Sequence, residues 1–390
     1  MSPDVDTLIL GGGCAGLSLG QRLAELPQTG HRTLILEARE TYQNDRAWCF
    51  WRLGSHRHDS LVSHSWSAMR LGNAGRSVTA DCRQTPYQML HSGPFYAHAV
   101  RKIAASPSVK LLLACPVASA PIRVVAGWKV ETATGPISAR EIIDTRPPQA
   151  PKAGDALLWQ SFIGQEVECE RAVFDPHIAT LMDFAGCLDQ GVLFFYVLPV
   201  SKTRALIETT VFGPRPLGVA ALAAIQAEAL QRLCKGAAFE TLRNENAILP
   251  MGMTVRPAET GPGYVRAGLM TGGARPSTGY AFQRIQRWAD ASALAICDGK
   301  AAFGHRPDPY VRQLMDWLFL HVLRAHPERG AELFMRIFGT ADTARVIRFL
   351  SDAGSLADCA AVVATLPTGL FLRELWRGLL ASPALQGRSA

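Results

Sequence analysis

The chain has 390 residues, 48% of them hydrophobic and only 19% charged, with a formal net charge of +7. That length accommodates two or three domains with sizeable cores, yet no apolar run reaches the ~18 uncharged residues of a membrane-spanning helix. No basic block carries interleaved aromatics, which argues against nucleic acid as a partner; positive charge with an apolar bias points to an anionic membrane surface, and charge alone fits a merely basic soluble protein equally.

The first charges are Asp4 and Asp6, so the N-terminus lacks the positive region of a signal peptide. The nine cysteines are scattered and form no C-x-x-C pair, which predicts reduced thiols, a cytosolic protein and no zinc site. His56, His58 and His64 lack metal-ligand spacing, and no Ser-His-Asp order or H-E-x-x-H pattern is present.

In chain order, residues 7–10 read as a buried strand that runs into Gly11, Gly13 and Gly16 in G-x-G-x-x-G spacing, followed by a helix over 17–26. In such a turn the first glycine makes the bend and the second admits a pyrophosphate. The third lets helix and strand pack closely. Residues 33–37 read as a second parallel strand ending in Glu37, positioned to bond an adenosine ribose. FAD fits better than NAD, because the signature lies at the extreme N-terminus. In addition, 142–146 reads as a late strand of the same sheet, and a glycine-rich stretch returns near residue 268.

The octet 44–51 follows, with Arg46 and Trp48 on a loop passing the flavin or the substrate mouth. A helix is expected over 86–105, strands over 111–113 and 125–130, and a domain crossing at the proline-rich 147–151. The pattern then turns to β: 157–169, 180–184, and a hairpin of 191–198 with 204–212. A helix is expected over 222–233. Residues 264–269 read as a strand returning to the nucleotide domain. They lead through Gly272, Gly273, Thr278 and Gly279, which would approach the nucleotide, into a helix over 282–296. From 310 onward the pattern is mostly helical.

The predicted fold is therefore α/β: a Rossmann-type FAD-binding domain with an inserted, mainly β substrate domain and a helical C-terminal region. The expected boundaries are 1–150 and 263–308 for the FAD-binding domain, 151–262 for the substrate domain and 309–390 for the helices.

Glu208 is the only acid between 205 and 213. Period-two alternation sets Leu206, Glu208 and Thr210 on one face and Ile207 and Thr209 on the other. A carboxyl flanked by Leu and Ile would be desolvated, its pKa would rise, and it would become a proton donor near neutral pH; the other reading of the same pattern is an exposed strand Glu facing water. Asp183 is a second candidate acid.

Read in order, 10–17, 44–51, 162–166, 181–183, 196–199, 206–210, 249–252 and 276–280 resemble the bacterial lycopene β-cyclases of the CrtY type over nearly the whole chain. The resemblance implies a flavoprotein that closes the linear ends of lycopene into β-ionone rings, giving β-carotene by way of γ-carotene without net redox. It also implies reduced FAD, NAD(P)H as its reductant, and lycopene or other acyclic carotenes drawn from a membrane. Glu208 matches the family's essential acid. Trp48, Phe50, Phe195 and Tyr196 would line the substrate tunnel and stabilise a carbocation by cation–π attraction.

Two positions depart from the family pattern. Ala47 stands where the family usually has Thr, and Thr209 where it usually has an acid, which leaves Glu208 alone or helped by Asp183 or the flavin. The implied location is cytoplasmic, peripheral to the inner face of the cell membrane, with segments 315–324 and 370–377 as interfacial helices. A redox flavoenzyme of the same fold (a hydroxylase or prenyl reductase) is the main competing reading. A nucleotide-binding scaffold without turnover is the second.

Overall fold

The structure is a computed structural model and describes residues 3–26, 30–117, 119–147, 153–253 and 261–381. The chain begins with Val5–Leu10 (β1), Cys14–Glu25 (α1), Thr33–Leu36 (β2), Ala47–Trp51 (β3), Val62–Trp66 (β4), Ala68–Asn73 (β5) and Arg76–Asp81 (β6). Tyr87–His91 (β7), Ser92–Ala104 (α2), Val109–Leu112 (β8), Ile122–Val124 (β9), Gly127–Thr132 (β10) and Gly135–Asp144 (β11) follow. The next stretch is Leu158–Cys169 (β12), Ile178–Leu188 (β13), Gly191–Pro199 (β14), Arg204–Gly213 (β15), Val219–Leu233 (α3) and Phe239–Met251 (β16). Tyr264–Arg266 (β17) and Phe282–Cys297 (α4) lead to Tyr310–Ala325 (α5), Gly330–Thr340 (α6), Thr343–Leu350 (α7), Leu356–Ala364 (α8) and Thr368–Ala381 (α9).

Strands β8, β2, β1 and β11 form a parallel run that β10 and β9 extend antiparallel, and β17 adds to β11 in parallel. Leu8, Ile9 and Leu10 are fully buried, as an unbroken apolar run covered on both faces requires. Helix α4 packs on α1, where Ser18 donates to Gln286 at 3.2 Å and Arg22 pairs with Asp290 at 2.7 Å. The return of the chain through β17 to α4 thus completes the nucleotide domain, as expected for a Rossmann-type flavoprotein fold.

The second sheet has seven strands in the order β16-β12-β15-β14-β13-β5-β6. Its last two members come from residues 68–81, inside the segment 1–150 expected to belong wholly to the first domain. β5 crosses over because it pairs in parallel with β13, burying Met69 and Leu71 against the second core. A small third sheet, β3-β7-β4, bridges the two units. The helix expected over 86–105 starts only at Ser92, because Tyr87–His91 is buried between β3 and β4 as their central strand. The crossing at 147–151 lies almost entirely outside the described residues.

Helices α5–α9 pack on one face of the second sheet. A single apolar cluster joins Phe194, Leu198, Leu206 and Phe212 of the sheet to Trp51 and Tyr87 of the small sheet and to Leu320, Leu333 and Val346 of the helices. Helix α3 covers the opposite face through Leu230 and Cys234. The apolar residues of β15 therefore alternate between the helix-covered core (Leu206, Phe212) and the α3 side (Ala205, Ile207).

Candidate active site

At the end of β1, Gly11 turns the chain with φ +94°. Gly16 then lies so near the strand that a Cβ there would stand 2.0 Å from the Gly11 carbonyl oxygen, and only glycine fits. Gly13 has open space before it, and no side chain caps α1, so the helix N-terminus presents N–H groups without a side-chain acceptor. Glu37, at the end of β2, is buried; its Oε2 accepts from Gly12 N–H at 2.7 Å and its Oε1 from Arg39 N–H at 2.9 Å. Burial opposes ionisation there, yet the Arg39 bonds hold the carboxyl below its usual range. Arg46 pairs with Asp45 at 3.0 Å, half exposed, and its charge reaches Cys14 at the start of α1.

The glycine-rich return loop arrives at the same place. A Cβ on Gly268 would lie 3.8 Å from Ala15 on α1, and one on Gly273 only 2.5 Å from the Gly268 carbonyl oxygen. Gly272 and Gly279 have φ +97° and +72°. The Thr278 hydroxyl accepts from Tyr280 N–H at 3.3 Å. Fully buried Arg275 anchors the loop to α5 by pairing with Asp316 at 3.0 Å, where the Ser277 hydroxyl also donates at 2.7 Å.

The second sheet brings a row of side chains under β3. Gly164 on β12 pairs with Glu208 on β15 and with Glu245 on β16, and Glu208 pairs with Tyr196 on β14. Having no side chain, Gly164 leaves a gap between the two glutamates: a Cβ there would stand 2.8 Å from Glu208 Cγ and 3.2 Å from Glu245 Cγ. The side chains of Glu208 and Glu245 thus flank the same gap from either side. Burial first, then Glu245, push the Glu208 carboxyl well above the usual carboxylate range. Part of the Glu208 side chain is nevertheless accessible, as suits an acid facing an internal space.

Glu245 is gripped from two sides. Its Oε2 accepts from Ala47 N–H at 2.9 Å and from the Arg243 guanidinium. Arg243 also donates to Glu166 at 3.0 Å, and Glu166 pairs with Arg204. Cys49 lies close enough that both glutamates push its thiol up, after burial. Trp51, Tyr87 and Tyr280 complete the wall, with the Trp51 ring 4.9 Å from Tyr87 and 5.5 Å from Tyr280.

Of the expected residues, Glu208 and Tyr196 meet here. Phe195 does not join them: alternation along β14 turns it to the α3 face, where Arg232 lies 5.0 Å over its ring. Asp183 is paired with Phe195 across β13 and β14 and bound to the same Arg232 at 3.1 Å, so it sits on the far side of the sheet from Glu208. Thr209 is there too, donating to Gln226 of α3 at 2.6 Å.

Trp48 and Phe50 alternate away from the glutamates and stack on Phe282 of α4, at 5.2 Å and 5.1 Å. Phe50 also borders a small cavity of about 30 Å³ with Cys49, Trp51 and Tyr280. Sequence reasoning missed Glu245, Gly164 and Arg243. Gly164 lies in the segment 162–166 that carries the resemblance, but for Arg243 and Glu245 the signal was their alternation in a strand whose register the sequence does not specify.

A cavity of about 230 Å³ lies among the C-terminal helices, bounded by Met315, Phe319, Phe334 and Phe371 and by Ser277 and Thr278 of the return loop. Phe334 touches Phe184 and Phe212 of the sheet. The middle of α5 is core, since Leu320, Val322 and Leu323 are buried, so segment 315–324 is not an interfacial face. Exposed apolar groups instead lie at its start, Tyr310 and Val311, and on α9, Leu372 and Trp376. Among the described residues no single helix is long and apolar enough to cross a membrane, and no cluster of potential metal ligands occurs.

The fold is shared with solved flavoenzyme structures. A geranylgeranyl bacteriochlorophyll reductase-like protein of Thermoplasma acidophilum aligns with TM-score 0.58 and 14% identity, covering 95% of both chains. A p-nitrophenol 4-monooxygenase of Pseudomonas putida aligns with TM-score 0.57 and 14% identity, covering 96% of this chain and 98% of that one. In sequence, a lycopene beta-cyclase of Paracoccus sp. is 32% identical over 162 residues, a match spanning 40% of this chain and 41% of that protein. The family model described as lycopene cyclase protein matches residues 6–374, and the chain belongs to the lycopene cyclase family.

Proposed function

We propose that this protein closes the acyclic ends of lycopene into β-ionone rings, through γ-carotene to β-carotene, by acid catalysis at Glu208. The observation that carries this reading is a half-buried acid beside Tyr196 and across Gly164 from Glu245, pushed well above its usual range by burial and by that second carboxyl. Glu208 donates its proton to the terminal double bond of the substrate, and the neighbouring double bond attacks the resulting tertiary cation. Loss of one proton then sets the ring alkene, so one proton enters and one leaves. Aromatic faces stabilise the passing positive charge, and the apolar enclosure keeps out water that would trap it.

The cradle of Gly11, Gly13 and Gly16, the open helix N-terminus and Glu37 fit the diphosphate and ribose of FAD, with Arg46 and the loop 268–279 closing around it. Reduced FAD, kept so by NAD(P)H, would supply negative charge near the cation when bound. The cavity among α5–α9 suits the long polyene body, because its walls are almost wholly apolar. The exposed Leu372 and Trp376, one helical turn apart and flanked by half-exposed Arg373 and Arg377, suit peripheral attachment to an anionic membrane on the cytoplasmic side. In liposome flotation, Leu372→Asp with Trp376→Asp should release the protein; unchanged binding would remove α9 from the membrane face.

The reaction itself is tested in lycopene-accumulating cells. The expected product has the mass of lycopene and the spectrum of β-carotene, and purified enzyme consumes no NAD(P)H in step with it. A product of altered mass, formed with matching NAD(P)H loss, would instead identify a redox flavoenzyme.

A further inference from the structure

The grip on Glu245 has a purpose that packing does not explain. Its Oε2 takes two donors, the backbone N–H of Ala47 at 2.9 Å and the Arg243 guanidinium. It therefore acts as the acceptor of the pair, and the shared proton falls to Glu208. Gly164 supplies the missing side chain that allows the two carboxyls to meet. Ala47 is the first residue of β3, so the octet 44–51 reaches the acid through a backbone N–H that any non-proline residue supplies. That explains why Ala can stand where the family usually has Thr.

We propose that Glu245 is the positioning residue of the acid, holding Glu208 as the proton-bearing member of a carboxyl pair. The inference rests on the reading of Glu208 as the proton donor. It adds a second consequence: once Glu208 has given its proton to the substrate, two carboxylates face each other across Gly164. Like charges this close disfavour double ionisation, so the pair recovers a proton readily. The proton lost from the closing ring returns to Glu208, which balances the cycle with no other acid or base.

The groups facing Glu208 define the test. Arg243 and Glu245 approach from β16, Tyr196 from β14 and Cys49 from β3, while Glu166 lies one same-face pair further along β12 and Arg204 two further along β15, with His91 of β7 against Glu166. Arg243 is already bonded to Glu245 and Glu166, so the charge that changes in Glu245→Gln is the one next to Glu208. Glu208 must be protonated to act, so activity falls as pH rises through its ionisation. Removing the neighbouring negative charge makes Glu208 ionise at lower pH.

In the FAD-loaded enzyme, Glu245→Gln should move the alkaline limb of cyclisation downward by at least about one pH unit. That is an approximately tenfold loss above the limb, with near wild-type rates on the acid side. Glu245→Asp, which keeps the charge, should restore the limb toward its wild-type position. Gly164→Ala wedges a methyl between the two carboxyls and should shift the limb in the same direction as Glu245→Gln, which keeps the proposal testable if that variant does not fold. An unmoved limb, or an equal loss at every pH, overturns it. Cyclisation by Glu208→Gln would instead overturn the underlying reading, so the two failures are distinguishable.

Discussion

Glu166 and Glu208 are both enclosed carboxyls on the same face of the same sheet, one pair of residues apart along β12 and β15, yet they are tuned in opposite directions. Burial works against Glu166, but the charges of His91, Arg243 and Arg204 hold it below the usual carboxylate range. Burial also pushes the His91 imidazole down, so at neutral pH the two guanidiniums carry that attraction. Glu208 meets a second carboxyl instead and is pushed up. Burial alone therefore does not make an acid. What decides is where the nearby cations are committed, and here Arg204 and Arg243 are committed to Glu166 and Glu245.

The sharpest way to break this contrast is to remove each carboxyl's charge chemistry in turn. Glu208→Gln should lower cyclisation by at least about 10²-fold, the lower end of what a positioned general acid supplies, while the flavin absorbance of the purified protein is retained. Wild-type β-carotene yield from that variant would sink the assignment of the acid. Glu166→Gln should act on stability. It takes the carboxylate from half-exposed Arg204 and one of two from Arg243, which keeps Glu245, so the cost lies below the about 3–5 kcal/mol of breaking a fully buried ion pair, read as a fall in the denaturation midpoint.

The sign of its pH dependence follows. Glu166 is depressed in the folded state, so its contribution is present above the unfolded carboxylate pKa and is lost as pH falls through the lower folded one. The difference in midpoint between wild type and Glu166→Gln should shrink on acidification below about pH 4. A constant difference would mean that Glu166 acts by packing.

The two carboxyl sites differ as much in how far the sequence reveals them. Alternation in 205–210 predicts the faces of β15 correctly, with Leu206 in the helix-covered core and Thr209 under α3. The turn at Gly11–Gly16 was equally legible, because its spacing is a local demand of one strand and one helix. Partners across strands are not local. Which residue of β16 faces Gly164 depends on register, and a bulge between Glu166 and Val167 shifts that register midway. For the same reason Asp183 and Phe195 looked like neighbours of Glu208 and lie across the sheet. The crossover of β5 and β6 into the second sheet was hidden because parallel pairing with β13 leaves no turn signature in the sequence.

Thr209 gives a smaller and cleaner contrast with its neighbour. It is fully buried, and its hydroxyl bonds Gln226, whose Nε2 in turn donates to the Ile207 carbonyl at 3.0 Å. Thr209→Val leaves the Gln226 oxygen without that donor, at a cost of about 1–3 kcal/mol. Cyclisation per folded molecule should be unchanged, because this side chain points away from the carboxyl pair. A selective loss of turnover with normal stability would show that the α3 face takes part in the chemistry.

The last contrast is the most direct measure of how strongly the fold holds a proton on Glu208. Its folded pKa is raised, so above the unfolded value the native state binds more protons than the unfolded one, and stability falls as pH rises. For one group the slope is at most about 1.4 kcal/mol per pH unit, and it ends where Glu208 itself ionises in the folded protein. Glu208→Gln cannot ionise and lacks this slope, so its stability relative to wild type should grow as pH rises above the unfolded carboxylate value, about pH 4 to 5. Denaturation at a series of pH values measures that divergence without any substrate. Parallel curves for the two proteins would mean that Glu208 carries no more proton affinity folded than unfolded, and the contrast with Glu166 would disappear.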